Sequence, residues 1–184
     1  VIAGTAGGNI KSDDHILIVR TNSLGDTLWA CQPFPHDSFE REGSGRDIDQ
    51  TNDGNYIVAG SYYITNTTID NTHALLTKIN NSGDTIWTKK YLFDDNTNAY
   101  SVVENSLGNF VFAGYKRDSI SPNNANCKEL LLVETDPQGN VIWVKTYQTG
   151  FCGASANSIE VTSDGGYIVC GERELQNSEE QIWV

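Results

Sequence analysis

The sequence predicts an all-β fold built from repeated four-stranded units. Three observations support this prediction. A short apolar segment ending in glycine recurs along the chain, and a segment with tryptophan four residues after glycine recurs between its copies. The composition is also rich in glycine (17) and poor in proline (4), which suits short strands joined by tight turns.

The apolar segment sets the period of the repeat. Asn55–Gly60 recurs as Asn109–Gly114 and as Gly166–Gly171, and Val1–Gly4 matches its end. The closing glycines are 56, 54 and 57 residues apart, a spacing that marks a repeat architecture. Successive apolar residues predict a strand that is buried on both faces.

Each repeat divides into four predicted strands, A to D, with glycine turns between A and B and between C and D. Strand B is the apolar segment. Strand D carries the tryptophan, and its alternation places Trp87, Lys89 and Tyr91 on one face. Trp29 and Trp143 occupy the same place in the other copies, and all three tryptophans are predicted to be buried. Strand A is predicted at Asp47–Gln50, Ser101–Glu104 and Ser158–Val161, and strand C at Ile16–Thr21, Leu75–Ile79 and Leu130–Thr135.

Four-stranded units at this period are typical of the blades of a β-propeller. We therefore expect a single propeller fragment with about 56 residues per repeat. Residues 1–30 would supply strands B to D of a partial blade, 47–91 and 99–147 two blades, and 156–184 a further partial blade. Three blade-equivalents do not close a ring, and the chain begins in a strand without methionine. We expect it to be a piece of a longer chain that holds the remaining blades.

The acidic composition argues against several partners. The net charge is −12 and the pI is about 4.5, so nucleic acid and anionic membrane surfaces would repel the chain. No run of 18 apolar residues is present, so no membrane insertion is expected.

No catalytic, metal or cofactor site is predicted. The turn residues Asp53 and Asp164 are expected to accept backbone hydrogen bonds and not to bind calcium. Asp94-Asp95-Asn96 lacks the spacing of a calcium loop. His36-Asp37-Ser38 lists the residue types of a catalytic triad in a row, but adjacent residues do not generally converge in that geometry. The tryptophans could stack on sugar, but their strict period favours packing between blades.

The long, irregular connections are the predicted place of recognition, because variable loops on a rigid scaffold commonly carry binding. The B–C connections are Thr5–Asp14, Ser61–His73 and Tyr115–Glu129, and Gln32–Arg46 is a D–A connection on the same edge. The candidate contact residues on this edge are Tyr62, Tyr63, Tyr115, Lys116, Arg117 and Phe151.

The four cysteines have different predicted roles. Cys127 ends a B–C connection and Cys152 lies in the next D–A connection, so both lie on one edge and are predicted to form a disulfide. Cys170 replaces an alanine of strand B and is predicted to be a buried free thiol. Cys31, in strand D, is predicted to lie too far from Cys170 to pair with it.

Two segments carry a resemblance to a known group of proteins. Ser158–Gly171 and Leu75–Tyr91 resemble the repeats of large secreted Bacteroidota proteins of the type IX secretion kind, which end in a sorting domain. The resemblance implies a secreted or cell-surface protein. Asp136, Gly139 and Trp143 are similar, more weakly, to quinoprotein-type propellers, in which the tryptophan docks blades. The cofactor residues of that family have no match here, so no cofactor is expected.

The Bacteroidota resemblance also implies O-glycosylation, since that clade modifies Asp-Ser/Thr-aliphatic triplets. The triplet occurs at Thr27, Thr85 and Ser119. A polar turn before a β-branched strand start produces the same triplet without any sugar.

These observations predict a non-catalytic extracellular or cell-surface scaffold for binding or adhesion, with a protein or carbohydrate ligand that the sequence does not identify. The alternative is the propeller platform of a larger secreted enzyme, a hydrolase or oxidoreductase, whose catalytic part lies elsewhere.

Overall fold

The computed structural model describes residues 2–6, 15–33, 40–64, 71–93, 96–118, 127–147, 153–174 and 180–183. Every regular element in these ranges is a β-strand, and none is a helix that could cross a membrane. The strands are β1 (Ile2–Ala6), β2 (His15–Thr21), β3 (Thr27–Cys31), β4 (Glu40–Gln50), β5 (Tyr56–Ile64), β6 (Asn71–Ile79), β7 (Thr85–Tyr91), β8 (Thr97–Glu104), β9 (Phe110–Asp118), β10 (Cys127–Thr135), β11 (Val141–Tyr147), β12 (Ala154–Val161), β13 (Tyr167–Glu174) and β14 (Glu180–Trp183).

The strands form four antiparallel sheets in which neighbours along the chain are neighbours in space. Sheet 1 is β1-β2-β3, sheet 2 is β4 to β7, sheet 3 is β8 to β11, and sheet 4 is β12-β13-β14. Sheets 2 and 3 each contain strands A, B, C and D in order. Sheet 1 contains B to D, and sheet 4 contains A to C. The predicted all-β class and the predicted order of strands within each repeat are confirmed.

Glycine turns close each hairpin at the predicted places. Gly54 in an A–B turn and Gly83 in a C–D turn have φ of +80° and +91°, a backbone conformation that glycine adopts without strain. A side-chain oxygen also holds each turn. Asn80 Oδ1 accepts hydrogen bonds from the backbone amides of Ser82 and Asp84, both at 2.9 Å. The predicted structural role of the turn aspartates is confirmed, because Asp53 Oδ1 and Asp164 Oδ1 each accept a backbone amide at 3.1 Å.

The strands are longer than predicted at the edge that carries the B–C and D–A connections. Strand A begins at Glu40, Thr97 and Ala154, well before the predicted starts. Strands B and C continue in register past the closing glycine, with Tyr63 opposite Thr72 and Arg117 opposite Lys128. Strand B is hydrogen-bonded to strand A on one side and to strand C on the other. These hydrogen bonds extend strand B into polar residues, which the hydrophobic pattern did not predict to be part of the strand.

Strand B forms the centre of the core, as its apolar sequence predicts. In β5, Tyr56 and Val58 pack in the cluster between sheets 1 and 2, whereas Ile57 and Ala59 pack in the cluster between sheets 2 and 3. All four side chains are at least 95% buried. A third cluster joins sheets 3 and 4 in the same way. Successive sheets therefore stack face to face, and each central strand serves two interfaces.

The tryptophans of strand D occupy equivalent positions, as predicted. Trp29 lies 6.4 Å from the Tyr56 ring, Trp87 lies 6.1 Å from Phe110, and Trp143 lies 6.4 Å from Tyr167, centroid to centroid. In each pair, strand D of one sheet contacts the first residue of strand B in the next sheet. The prediction that they are buried was wrong, because each is half-buried on the outermost strand of its sheet.

The sheets come together at strand A. Strand β8 lies beside both β4 and β12, whereas the D strands β3, β7 and β11 make no comparably close approach to one another among the described elements. Asp47 Oδ2 accepts hydrogen bonds from Ser101 Oγ (2.7 Å) and the Val102 amide (3.0 Å). Ser101 Oγ accepts the Ile159 amide at 3.3 Å. A chain of polar contacts thus links the A strands of three successive sheets.

Candidate binding cleft at the strand A bulges

Each of the three A strands contains a β-bulge at the same position. The pairing register with strand B shifts between Gly45 and Asp47, between Ala99 and Ser101, and between Ala156 and Ser158. The extra residues are Arg46, Tyr100 and Asn157. A bulge re-aims the side chain of its extra residue, and bulges are frequent beside functional sites.

The closing glycine of strand B makes room for the bulge. A Cβ on Gly60 would lie 2.1 Å from the carbonyl oxygen of Ser44. A Cβ on Gly114 would lie 1.8 Å from that of Asn98, and one on Gly171 would lie 1.9 Å from that of Ser155. No real Cβ tolerates such a distance from a backbone atom. The glycine that defines the repeat is therefore required by the bulged partner strand.

The three bulge residues line two adjoining hollows of about 330 and 360 Å³. Arg46 and Tyr100 border both hollows, and Asn157 borders the second. We call the two hollows together the bulge cleft. It lies at the edge that carries the B–C and D–A connections, where the sequence predicts recognition. The backbone is the same at each bulge, while the side chain differs from sheet to sheet.

A ladder of cations and aromatic rings crosses the bulge cleft. Arg46 Cζ lies 5.5 Å from the centre of the Tyr100 ring, which meets the Tyr115 ring edge-to-face at 5.7 Å. Lys128 Nζ lies 5.0 Å from the centre of the Tyr115 ring. Asn98 Nδ2 donates to the Tyr115 hydroxyl at 2.8 Å. Rings at these distances attract the cations.

The side chains of Arg46 and Lys128 have hydrogen-bond donors that no described residue accepts. Within the described residues, no hydrogen bond or salt bridge engages the Arg46 guanidinium or the Lys128 ammonium. Among the described residues that line the cleft, the one carboxylate is that of Glu172, whose Oε1 accepts a hydrogen bond from Asn157 Nδ2 at 2.8 Å. The described part of the lining therefore carries one more positive than negative charge, on a chain whose net charge is −12.

The phenol of Tyr100 is held in its protonated form. Burial raises its pKa, the neighbouring Tyr115 and Glu172 add to the rise, and Arg46 opposes it. The hydroxyl therefore remains a hydrogen-bond donor at neutral and mildly alkaline pH, next to the guanidinium.

A larger hollow of about 450 Å³ at the opposite edge has a structural explanation. It lies beside Trp143 and Tyr167, between sheets 3 and 4. At the two equivalent interfaces, the C–D turn of the following sheet covers the tryptophan, with Gly83 against Trp29 and Gly139 against Trp87. The described part of sheet 4 contains no C–D turn, so the space beside Trp143 is open.

The predicted contact residues are only partly at the cleft. Tyr63 and Tyr115 border it, but they lie in β5 and β9 and not in loops. Tyr62 also borders the first hollow, but its side chain is only 2% exposed and packs in the core between sheets 1 and 2. Lys116 and Arg117 also lie in strand β9, half-buried and outside the cleft lining. Phe151 lies outside the described residues.

Sequence reasoning missed the bulge residues and their neighbours. Arg46, Tyr100 and Asn157 each precede the first residue of a predicted A strand, so they align in the repeat although their side chains differ. That alignment was an available signal. Lys128 and Glu172 had none, because their proximity depends on pairing between strands.

The cysteines partly follow the predictions. Cys127 is disulfide-bonded, whereas Cys31 and Cys170 are free. Cys152, the predicted partner of Cys127, lies outside the described residues. The prediction that Cys170 is buried was wrong, because no described sheet covers the outer face of sheet 4.

The candidate glycosylation, triad and calcium-loop residues lie partly outside the described residues. Thr27 and Thr85 are exposed at the starts of β3 and β7, and Ser119 lies outside the described residues. So do His36-Asp37-Ser38 and the pair Asp94-Asp95. Among the described histidines, cysteines and acidic residues, no group of three is placed to hold a metal ion.

Comparison with protein-family models and with curated proteins finds no match to this chain.

Proposed function

We propose that the chain is part of an extracellular or cell-surface β-propeller that acts as a non-catalytic binding scaffold. The observation that supports this proposal is the set of three aligned bulges. The same backbone feature presents Arg46, Tyr100 and Asn157 in three successive sheets. A repeated frame with varied side chains at one edge is the arrangement expected of a recognition surface.

The approach of the A strands supports the propeller part of the proposal. The sheets approach one another at strand A and lie further apart at strand D. Sheets in this arrangement fan out around a common axis. Blades of a propeller have this relation to the central channel. The bulge cleft would then lie at the mouth of that channel, where residues from several blades meet.

The test of binding uses matched triple variants. The first replaces the three bulge residues by alanine, and the second replaces three exposed turn residues at the opposite edge. The control substitutions are Ser106→Ala, Gln138→Ala and Ser163→Ala. Each protein is applied to an array of glycans and peptides. We expect the unmodified chain and the control to retain the same ligand, and the bulge variant to lose about tenfold or more of the affinity.

Two outcomes would contradict the proposal. A bulge variant that binds as well as the control would remove the cleft from recognition. Mass spectrometry of the recovered ligand provides the second criterion, since a cleaved or oxidised ligand would favour an enzyme over a scaffold. Electron microscopy of the longest protein that contains this chain tests for a closed ring of blades.

A further inference from the structure

We propose that the bulge cleft binds an acidic oligosaccharide, with Arg46 and Lys128 engaging its anionic groups and the neutral polar lining engaging its hydroxyls. This inference rests on the proposed function and names the chemical class of its ligand.

The lining favours a polyhydroxylated ligand. Apart from glycine, the described residues that border the two hollows are tyrosines or polar and charged residues, with no aliphatic side chain, phenylalanine or tryptophan among them. Peptide and protein partners usually anchor apolar side chains in apolar pockets. The hydroxyls and amides of Ser44, Thr72, Asn98 and Ser155 instead offer many small donors and acceptors, the complement of a sugar.

The two cations indicate that the sugar is acidic. Arg46 and Lys128 make no ion pair within the described residues, although acidic residues outnumber basic ones by 24 to 12 in the chain. Each cation is instead held over a tyrosine ring. The planar guanidinium matches a carboxylate or a sulfate with two parallel hydrogen bonds. The donors of both cations, which no described residue accepts, are thus placed beside the hollows where an anion can reach them.

Glu172 gives the site a direction. Its carboxylate lies on the second hollow and accepts a hydrogen bond from Asn157. An anionic group next to Glu172 would be repelled, whereas a sugar hydroxyl can donate to it. The anionic groups should therefore lie toward Arg46 and Lys128, and the neutral hydroxyls toward Asn157 and Glu172.

The test compares ligands that differ only in charge. Calorimetric titration of the full chain uses tetragalacturonate, its fully methyl-esterified neutral form, a sulfated galactose tetrasaccharide and tetraglutamate. Loss of a charged hydrogen-bond partner corresponds to roughly a 10- to 100-fold change in affinity. We expect at least one acidic tetrasaccharide to bind about tenfold or more tightly than the neutral ester. Preference for the carboxylated or the sulfated sugar identifies the anionic group.

Two variants locate the effect. Arg46→Gln should lower affinity for the acidic sugar about tenfold and leave affinity for the ester unchanged. Lys145→Gln, the same charge change on the exposed strand β11, should leave both unchanged. Circular dichroism verifies that both variants are folded.

Several results would overturn the inference. Equal affinity for the acidic and neutral sugars, tighter binding of tetraglutamate, or binding of no probe at all would each do so. A neutral or peptide ligand that is lost in the triple bulge variant would leave the proposed function standing. Absence of any ligand on the wider array would contradict the proposed function itself.

Discussion

Replacing Gly114 by alanine tests the link between the repeat glycine and the bulge. The added Cβ would lie 1.8 Å from the carbonyl oxygen of Asn98, and ordinary contact begins near 3.4 Å. The bulged strand β8 must therefore move by about 1.5 Å, and no flexible side chain can absorb that movement. We expect the bulge at Tyr100 to be distorted or lost.

The expected cost has two parts. Overpacking a well-packed site costs typically about 1–3 kcal/mol. Displacement of β8 also strains the two hydrogen bonds that Asp47 accepts from Ser101 and Val102, at 2.7 and 3.0 Å. Hydrogen bonds to a charged group contribute about 1.5–3 kcal/mol each. We expect Gly114→Ala to lower the free energy of unfolding by about 3 kcal/mol or more, a large fraction of the usual total.

The matched control is Gly4→Ala. Gly4 is the equivalent repeat glycine in sheet 1, whose described strands do not include a strand A, and a Cβ on Gly4 meets nothing within 4 Å. Urea unfolding followed by tryptophan fluorescence should place this variant within about 0.5 kcal/mol of the unmodified chain. The reasoning would be refuted if Gly114→Ala were as stable as Gly4→Ala.

Three further predictions concern the core, the response to pH and the surface. Trp87→Ala removes the half-buried contact with Phe110 and should cost about 2–3 kcal/mol in urea unfolding, whereas a loss under about 0.5 kcal/mol would contradict packing between sheets. His73 is 6% exposed, and burial lowers its pKa. As pH falls, the imidazole of the unfolded chain is therefore protonated at a higher pH than that of the folded chain. The free energy of unfolding should therefore decrease as pH drops below about 6.5. Urea denaturation at about pH 7.5 and 5.5 should show a smaller decrease for His73→Phe than for the unmodified chain. An equal decrease in the two proteins would contradict this role of His73. Thr27 and Thr85 are exposed and should carry O-linked sugar in protein from its native host, whereas unmodified peptides in mass spectrometry would exclude it.

The candidate site was predictable only at the level of the edge on which it lies. Irregular connections pointed to the edge on which the bulge cleft lies, but the residues chosen there omitted Arg46 and included Tyr62, whose ring packs in the core while it borders the first hollow. A tyrosine after an apolar strand has the same local sequence whether its ring faces the next sheet or the solvent. Burial at such a position depends on the neighbouring sheet, which the local pattern does not contain.

Local chemistry determined the repeat period, the order of strands and the hairpin turns, because apolar runs and glycines act over a few residues. The double-sided burial of Tyr56 to Ala59 also followed from sequence, since every residue in that run is apolar. Only the tertiary structure decided where strand A begins and that it bulges at Arg46. A bulge forms where one strand has one residue more than the strand it pairs with, so it cannot be predicted from the sequence of either strand alone. The same holds for the contact between Tyr115 and Lys128, which pairing across β9 and β10 creates.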